Sequence, residues 1–261
     1  MLKTMLVNNE IAKLFGRTGS RVMLGMPPLL TAGAGLLAKQ AGDEELAAGN
    51  VWAFMRLAIT AVPSLTDFAA LFAIIAAAGI VAAEFSSGTI KLLLVRPYSR
   101  AEILLSKYVA VLLFGLAMTV IVLLSMFVGG GLLFGFGGGD QNYYGIGMAS
   151  FVLRAAGFHC LELFVLSTFA FMLSTVLRHN AAAIGLSLFM LLAGPQFGYM
   201  LRDYGWSKYM LFANTDLIAY TMDRPFMDGM TLGFSVTLLA VHALVFIALA
   251  WTVFGRRDVA G

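Results

Sequence analysis

Four ionisable residues lie within long apolar stretches of the sequence, where they could do chemistry. They are Asp67, Arg154, His159 and Glu162. His159 and Glu162 are three residues apart, so a helix would place them on one face. Such a pair could line a polar route or bind a cation, although His-x-x-Glu lacks the third ligand of a recognisable metal site. We therefore expect no metal site. Because charged residues are rare within hydrocarbon, our default hypothesis is that these four residues have a function.

Two other interpretations of the same residues stay open. The structural one, which we favour, is that Asp67 pairs with Arg154 across two helices at similar depth, because a buried charge usually finds an opposite partner. The third is an intramembrane enzyme, which needs converging acids, bases or metal ligands. Only His159 and Glu162 are close in sequence for that purpose. The single cysteine, Cys160, excludes an intrachain disulfide and a cysteine metal cluster.

The elements that must position these residues are membrane-spanning helices. The chain has 261 residues, of which 60% are hydrophobic and 12% charged, and its mean hydropathy is +0.88. Continuous apolar runs of about 20 residues predict spanning helices and not the alternating strands of a barrel. The sequence therefore predicts an all-α protein with six spans, the first interrupted by Pro27-Pro28. The spans are predicted at 20–38, 62–83, 108–130, 155–177, 181–200 and 232–254.

Charge predicts the orientation of these spans. Six spans place both termini on one side, and that side carries eleven of the 17 Lys and Arg residues, against six on the other. Cytoplasmic loops are the Lys- and Arg-rich ones, so we expect cytoplasmic termini in a plasma (inner) membrane. On the outer side, segment 46–60 is predicted to add a short interfacial helix. Segment 201–231 is predicted to be an extracytoplasmic loop with an aromatic belt.

Two segments are predicted to lie at the cytoplasmic surface. In segment 1–18, Val7, Ile11, Leu14 and Phe15 follow the helical period, which predicts an amphipathic interfacial helix. The second is segment 84–107.

Segment 84–107 contains its own start and stop signals. Ser86 or Ser87 can cap a short apolar helix that Pro97 ends, and Ser99 with Glu102 has the spacing of a capping box for the third span. The apolar ridge Leu92 to Val95 suits either lipid headgroups or a partner protein, and the pattern does not choose between them.

The same segment resembles a known family, the membrane subunits of ABC-2 type exporters. The matching residues are Glu84, Gly88-Thr89, Leu92-Leu93-Leu94, Pro97 and Ser99-Arg100. The opening LVNNEIAKLF and the closing FGRRDV are similar to the family's first helix and to its exit from the last span. The resemblance points to a prokaryotic protein.

This resemblance implies a function. Residues 1–261 would form one permease domain, in a homodimer or heterodimer, that moves a substrate outward when two copies of a cytoplasmic ATPase bind ATP and Mg. A short coupling helix between spans two and three would dock on that ATPase. Its contacts would be Glu84, Gly88, Thr89, Leu92, Leu93, Leu94, Pro97 and Arg100. Neither a cofactor nor nucleic acid is expected to bind this chain.

The sequence contains no P-loop motif for binding ATP. A P-loop needs a Gly-Lys step so that the lysine reaches the phosphates, and none of the six lysines follows a glycine. We therefore expect no enzyme activity here and ATP hydrolysis in another polypeptide. The alternative function is an ion-coupled secondary transporter that uses Asp67, Arg154, His159 and Glu162. That alternative predicts internal repeats and paired broken helices, and neither is clear in the sequence.

Overall fold

The apolar runs form long helices in the computed structural model, which describes residues 2–42, 50–61, 63–90, 98–137, 142–177 and 179–256, with side chains from residue 5 onward. The helices are α1 Leu2–Gly16, α2 Thr18–Gln40, α3 Val51–Thr60, α4 Leu65–Ser86, α5 Arg100–Phe134, α6 Met148–Val176, α7 Asn180–Met200 and α8 Leu232–Arg256. Strands β1 Asn142–Tyr143 and β2 Ile146–Gly147 pair antiparallel between α5 and α6.

Six of these helices are long and apolar enough to cross a membrane, namely α2, α4, α5, α6, α7 and α8. The predicted all-α architecture with six spans is confirmed. Helix α5 has 35 residues, which at 1.5 Å per residue gives about 52 Å, longer than the roughly 30 Å of hydrocarbon. Its ends therefore extend beyond the apolar layer. Pro27 and Pro28 lie inside α2 without ending it, as spanning helices tolerate.

Helix α4 lies at the centre of the bundle. Its buried residues are mostly alanines, and Ala77, Ala78 and Ala82 are fully buried. Small side chains let α5, α6 and α7 approach α4 closely, and α4 contacts all three. Helices α2, α7 and α8 are mostly exposed and form the periphery.

The spans define two ends of the bundle. The terminus-side end contains α1, the ends of α4 and α8 and the starts of α5 and α7. There the Phe85 and Phe254 rings lie 6.5 Å apart, and the Asn180 N–H donates to Ser86 Oγ at 2.9 Å. At the opposite end, the Val51 N–H donates to the Gly135 carbonyl at 2.9 Å.

Both predicted surface helices form, with different burial. Helix α1 matches the predicted segment 1–18, and its Leu6 and Leu14 are buried. The helix predicted within 46–60 is α3, but it is not interfacial as expected, because Phe54 and most of its other residues are buried. Asn50 caps α3 through the N–H groups of Trp52 and Ala53, so a capped half-length helix packs within the bundle.

The predicted outer loop 201–231 contains two 3₁₀ turns, Ser207–Tyr209 and Ile218–Met222. Tyr204, Trp206 and Tyr209 are exposed on it, as an aromatic belt at a membrane surface requires. Part of the predicted coupling helix, 91–97, lies outside the described residues.

Candidate functional site at the terminus-side end

Four charged side chains meet where α1, α4 and α5 converge. Lys107 Nζ donates to Glu10 Oε2 at 2.8 Å and to Glu84 Oε1 at 2.8 Å. Lys13 Nζ also pairs with Glu84 Oε1. Lys107 is 0% exposed, Glu10 and Glu84 are 2% exposed, and only Lys13 reaches solvent. We call Glu10, Lys13, Glu84 and Lys107 the four-charge cluster.

Helix geometry brings the cluster together. Glu10 and Lys13 are three residues apart on α1, so they share one face. Glu84 lies in the last turn of α4, and Lys107 lies about two turns into α5. A buried charge is costly unless it is paired. The cluster therefore joins α1, α4 and α5 through ion pairs.

A tight exposed turn follows the cluster directly. Ser86, Ser87, Gly88 and Thr89 are exposed, whereas Ile90 is 3% exposed. Gly88 has φ +71°, a left-handed conformation that glycine adopts without steric cost. Ser87 and Thr89 share a hydroxyl contact of 2.9 Å. We call residues 86–89 the exposed turn.

Hydrogen bonds attach the exposed turn to Glu84. The Ser87 and Thr89 hydroxyls each lie 3.5 Å from the Glu84 carbonyl oxygen. The same residue therefore contacts the turn with its backbone and the four-charge cluster with its side chain.

Of the remaining residues of the predicted coupling site, the structure describes only Arg100. Arg100 Nη1 donates to the Gly255 carbonyl at 3.2 Å, which joins the start of α5 to the end of α8. The predicted capping box of Ser99 and Glu102 is confirmed at the start of α5. The others, Leu92, Leu93, Leu94 and Pro97, lie outside the described residues.

The intramembrane charges lie at the opposite end, and the favoured ion pair does not form. Asp67 accepts from the Ser64 N–H at 2.7 Å while its own N–H donates to Ser64 Oγ at 3.0 Å, which is a capping box for α4. Arg154 is exposed, and no ion pair joins it to Asp67 among the described residues. The expectation was wrong because a cap one turn away already satisfies the Asp67 carboxylate.

His159 and Glu162 do come together. His159 Nδ1 lies 3.7 Å from Glu162 Oε2, and the histidine is 4% exposed. In the part of the chain that the structure describes, no three His, Cys, Asp or Glu residues are arranged to hold a metal ion.

Asp216, in the outer loop, was not singled out by sequence. The side chain is exposed on the loop, but partial loss of solvation still raises the pKa of its carboxyl group overall. The backbone N–H groups of Ala219 and Ile218 lower that pKa, and the charge of Asp67 raises it.

Sequence reasoning also missed most of the four-charge cluster. It named Glu84 as a candidate site residue but not Glu10, Lys13 or Lys107. A usable signal was present, because an acid ends one span and a lysine precedes the next apolar run. Which face of α1 turns inward, however, depends on packing.

The fold and these charges define a polytopic α-helical membrane protein with an ion-paired helix junction at one end. Residues 40–260 match a family described as "Protein of unknown function (DUF2705)", and the chain belongs to that family. It is 34% identical to "Uncharacterized protein YhcI" of Bacillus subtilis strain 168, an alignment that covers 98% of this chain and 99% of the relative. It is 32% identical to "Uncharacterized membrane protein YdbK" of the same organism, over 76% of this chain and 80% of the relative.

These matches correct the sequence-based family assignment. The family that matches is DUF2705, so the assignment to the ABC-2 permeases is wrong. The resemblance depended mainly on residues 84–100. An acid, a glycine turn, several leucines, a proline and a capped start are what many short connections between two spans need, so the pattern discriminates poorly between families.

Proposed function

We propose that this chain is the membrane-spanning subunit of an exporter that a separate cytoplasmic ATPase drives. The observation that carries the proposal is the placement of the exposed turn. It lies between Glu84, which is 2% exposed, and Ile90, which is 3% exposed. A partner that binds the turn would therefore pull on residues anchored inside the bundle.

The orientation belongs to the proposal. The Lys and Arg distribution favours a cytoplasmic terminus-side end in a plasma membrane. The exposed turn would then face soluble proteins, as an ATPase contact requires. ATP and Mg would bind the partner, since this sequence has no Gly-Lys step for a P-loop.

The four-charge cluster supplies a route for movement. Displacement of the exposed turn would reach Glu84 through its carbonyl oxygen, and Glu84 is ion-paired to α5 and α1. Packed helices respond to such a load by shifting between discrete arrangements and not by bending gradually. The proposal includes a second permease copy, identical or related, and two ATPase copies, so that opposed movements can open a path between two bundles.

Photocrosslinking tests the partner contact. A photoreactive amino acid replaces Thr89 in the exposed turn, and the matched control carries it at Tyr204, which is exposed at the opposite end. Crosslinking is done in cells of the native host and the products are identified by mass spectrometry. We expect the Thr89 probe, but not the Tyr204 probe, to capture a soluble protein with a Gly-Lys-Ser/Thr P-loop. Capture of lipid alone from position 89, or of the ATPase from Tyr204, would contradict the proposal.

Ion-coupled secondary transport is the second candidate. It is favoured by the buried His159, whose Nδ1 lies 3.7 Å from Glu162 Oε2 inside a predicted span. A purified chain reconstituted alone in liposomes distinguishes the two. Gradient-driven ion uptake that Glu162→Gln abolishes would favour this candidate over an ATPase-driven subunit.

A further inference from the structure

Helix α1 is joined to the rest of the chain by a single extended residue. Arg17 separates α1 from α2, with φ −66° and ψ 137°, and it makes no side-chain cap. Gly16 and Gly19 flank it, and a Cβ at either glycine would meet nothing within 4 Å. A single non-helical residue between two helices is where α1 can change its direction relative to α2.

Side-chain contacts hold α1 in place. Leu6 packs with Ile103 of α5, and the rings of Phe15 and Phe114 meet edge to face at 5.3 Å. The ion pairs of Glu10 with Lys107 and of Lys13 with Glu84 add two polar attachments. Helix α1 packs chiefly on α5.

The charges balance whether α1 is docked or absent. With α1 docked, the cluster contains two carboxylates and two ammonium groups. Helix α1 contributes one of each, Glu10 and Lys13, so its departure leaves the pair Glu84 and Lys107, whose oxygen and nitrogen lie 2.8 Å apart. Neither arrangement leaves a net buried charge, which is the term that would otherwise forbid undocking.

The ion pairs of the Glu84 carboxylate differ between the arrangement with α1 docked and the arrangement with α1 absent. In the docked arrangement both ammonium groups bind Oε1, while Oε2 is buried and has no hydrogen-bond partner among the residues that the structure describes. Undocking removes one of those ammonium groups and frees the carboxylate to reorient. Since the Glu84 carbonyl contacts Ser87 and Thr89, this change lies next to the exposed turn.

We propose that α1 is a latch with a docked and a released position, and that its position sets the conformation of the exposed turn. The biological purpose of the latch rests on the proposed function, because there a partner at the turn would select one position. The latch itself is a property of the isolated chain.

Cysteine accessibility tests the latch. Leu14, which is 2% exposed on α1, becomes cysteine in a Cys160→Ala background, and the full-length chain is placed in lipid nanodiscs that leave both faces open to a maleimide. Val111→Cys in α5, at a position 0% exposed, is the matched control. We expect Lys107→Met to speed labelling at position 14 about tenfold or more, with position 111 unchanged.

Because Lys107→Met could misfold, a second variant with a smaller expected effect is also measured. Lys13→Met removes only the partly exposed partner, and we expect labelling at position 14 to rise by about two- to fivefold. If position 111 becomes accessible together with position 14 in both variants, the bundle opens as one unit and the latch is refuted. Unchanged labelling at position 14 in both variants also refutes it.

A separate measurement tests whether the position of α1 affects the exposed turn. A spin label at Thr89→Cys reports the mobility of the exposed turn in the same nanodiscs. We expect Lys13→Met to increase that mobility and Lys39→Met, an exposed lysine on α2, to leave it unchanged. Equal spectra for all three chains would refute coupling. No ATPase is present in these measurements, so they can succeed even if the crosslinking from Thr89 fails.

Discussion

The two ends of the bundle handle charge in different ways. At the terminus-side end, the four-charge cluster joins α1, α4 and α5 through buried side chains. At the opposite end, Asp67 accepts a hydrogen bond from Ser64 at the start of its own helix, and Glu162 lies 3.7 Å from His159 on the same helix. Arg56 at that end is buried, but its guanidinium lies 4.6 Å from the Tyr143 ring centroid.

The two ends therefore differ in how strongly a movement of one helix would affect its neighbours. The pair of Glu84 and Lys107 makes α4 and α5 move together, because separating these two residues leaves each charge in a poorly solvating environment. A cap or a pair within one helix stabilises that helix and contributes little to its contacts with neighbouring helices. The terminus-side end thus has the connections between helices that the proposed function requires.

Loss of Lys107 is expected to have the largest effect. Lys107→Met leaves Glu10 and Glu84 buried with one partly exposed lysine, and removal of one partner from a buried ion pair costs about 3–5 kcal/mol. The measurement is unfolding in mixed detergent and SDS micelles.

Two controls sharpen this test. Lys39→Met, on the exposed surface of α2, should change the free energy of unfolding by less than about 0.5 kcal/mol. The triple variant with Glu10→Gln and Glu84→Gln added should recover much of the loss, since the cluster then keeps no buried charge and the remaining Lys13 reaches solvent. If Lys107→Met behaves like Lys39→Met, the contrast between the two ends disappears.

Loss of the α4 cap should have an intermediate effect. Ser64→Ala removes the hydroxyl that accepts from the Asp67 N–H, and such caps contribute about 1 kcal/mol. Ser99→Ala, in the equivalent capping box of α5, is the matched variant at the other end. Because caps act within one helix, we expect similar losses in the same unfolding assay. A Ser64→Ala loss as large as that of Lys107→Met would mean that the opposite end also depends on long-range coupling.

The smallest effect is expected at Asp216. Its pKa is raised in the folded chain, so between the unfolded and folded pKa values the unfolded state releases its proton first and stability falls as pH rises. Asp216→Asn removes this penalty and keeps an oxygen for the Ala219 N–H. We expect a gain of about 0.5 kcal/mol or less at pH 7, and none below about pH 4. Equal gains at both pH values would exclude titration of Asp216 as the cause.

The sequence predicted the parts of the fold that depend on hydrophobic length. Six spans, the amphipathic α1 and the Ser99–Glu102 capping box follow from local patterns, and all are confirmed. Burial of α3 was missed because a ten-residue apolar helix is equally suited to an interface and to a core. Its position depends on Phe54 packing against the ring of Phe134, 5.4 Å away.

The candidate site was harder to predict. Glu84 was identified, but its partners come from α1 and α5, and Glu10 is far from Lys107 along the chain. A single sequence gives no direct sign of which helices touch. For Asp67 the error was of the opposite kind, since a distant partner was favoured although Ser64 was available three residues away.

The alanine-rich surface of α4 has a mechanical consequence. Its buried side chains are mostly single methyl groups, and Ser174 Oγ accepts from the N–H groups of Val81 and Ala82 at 3.0 Å each. Side chains this small let neighbouring helices pack against α4 at short distance. Any shift of the innermost helix along its axis would therefore have to break the two hydrogen bonds by which Ser174 of α6 holds its backbone.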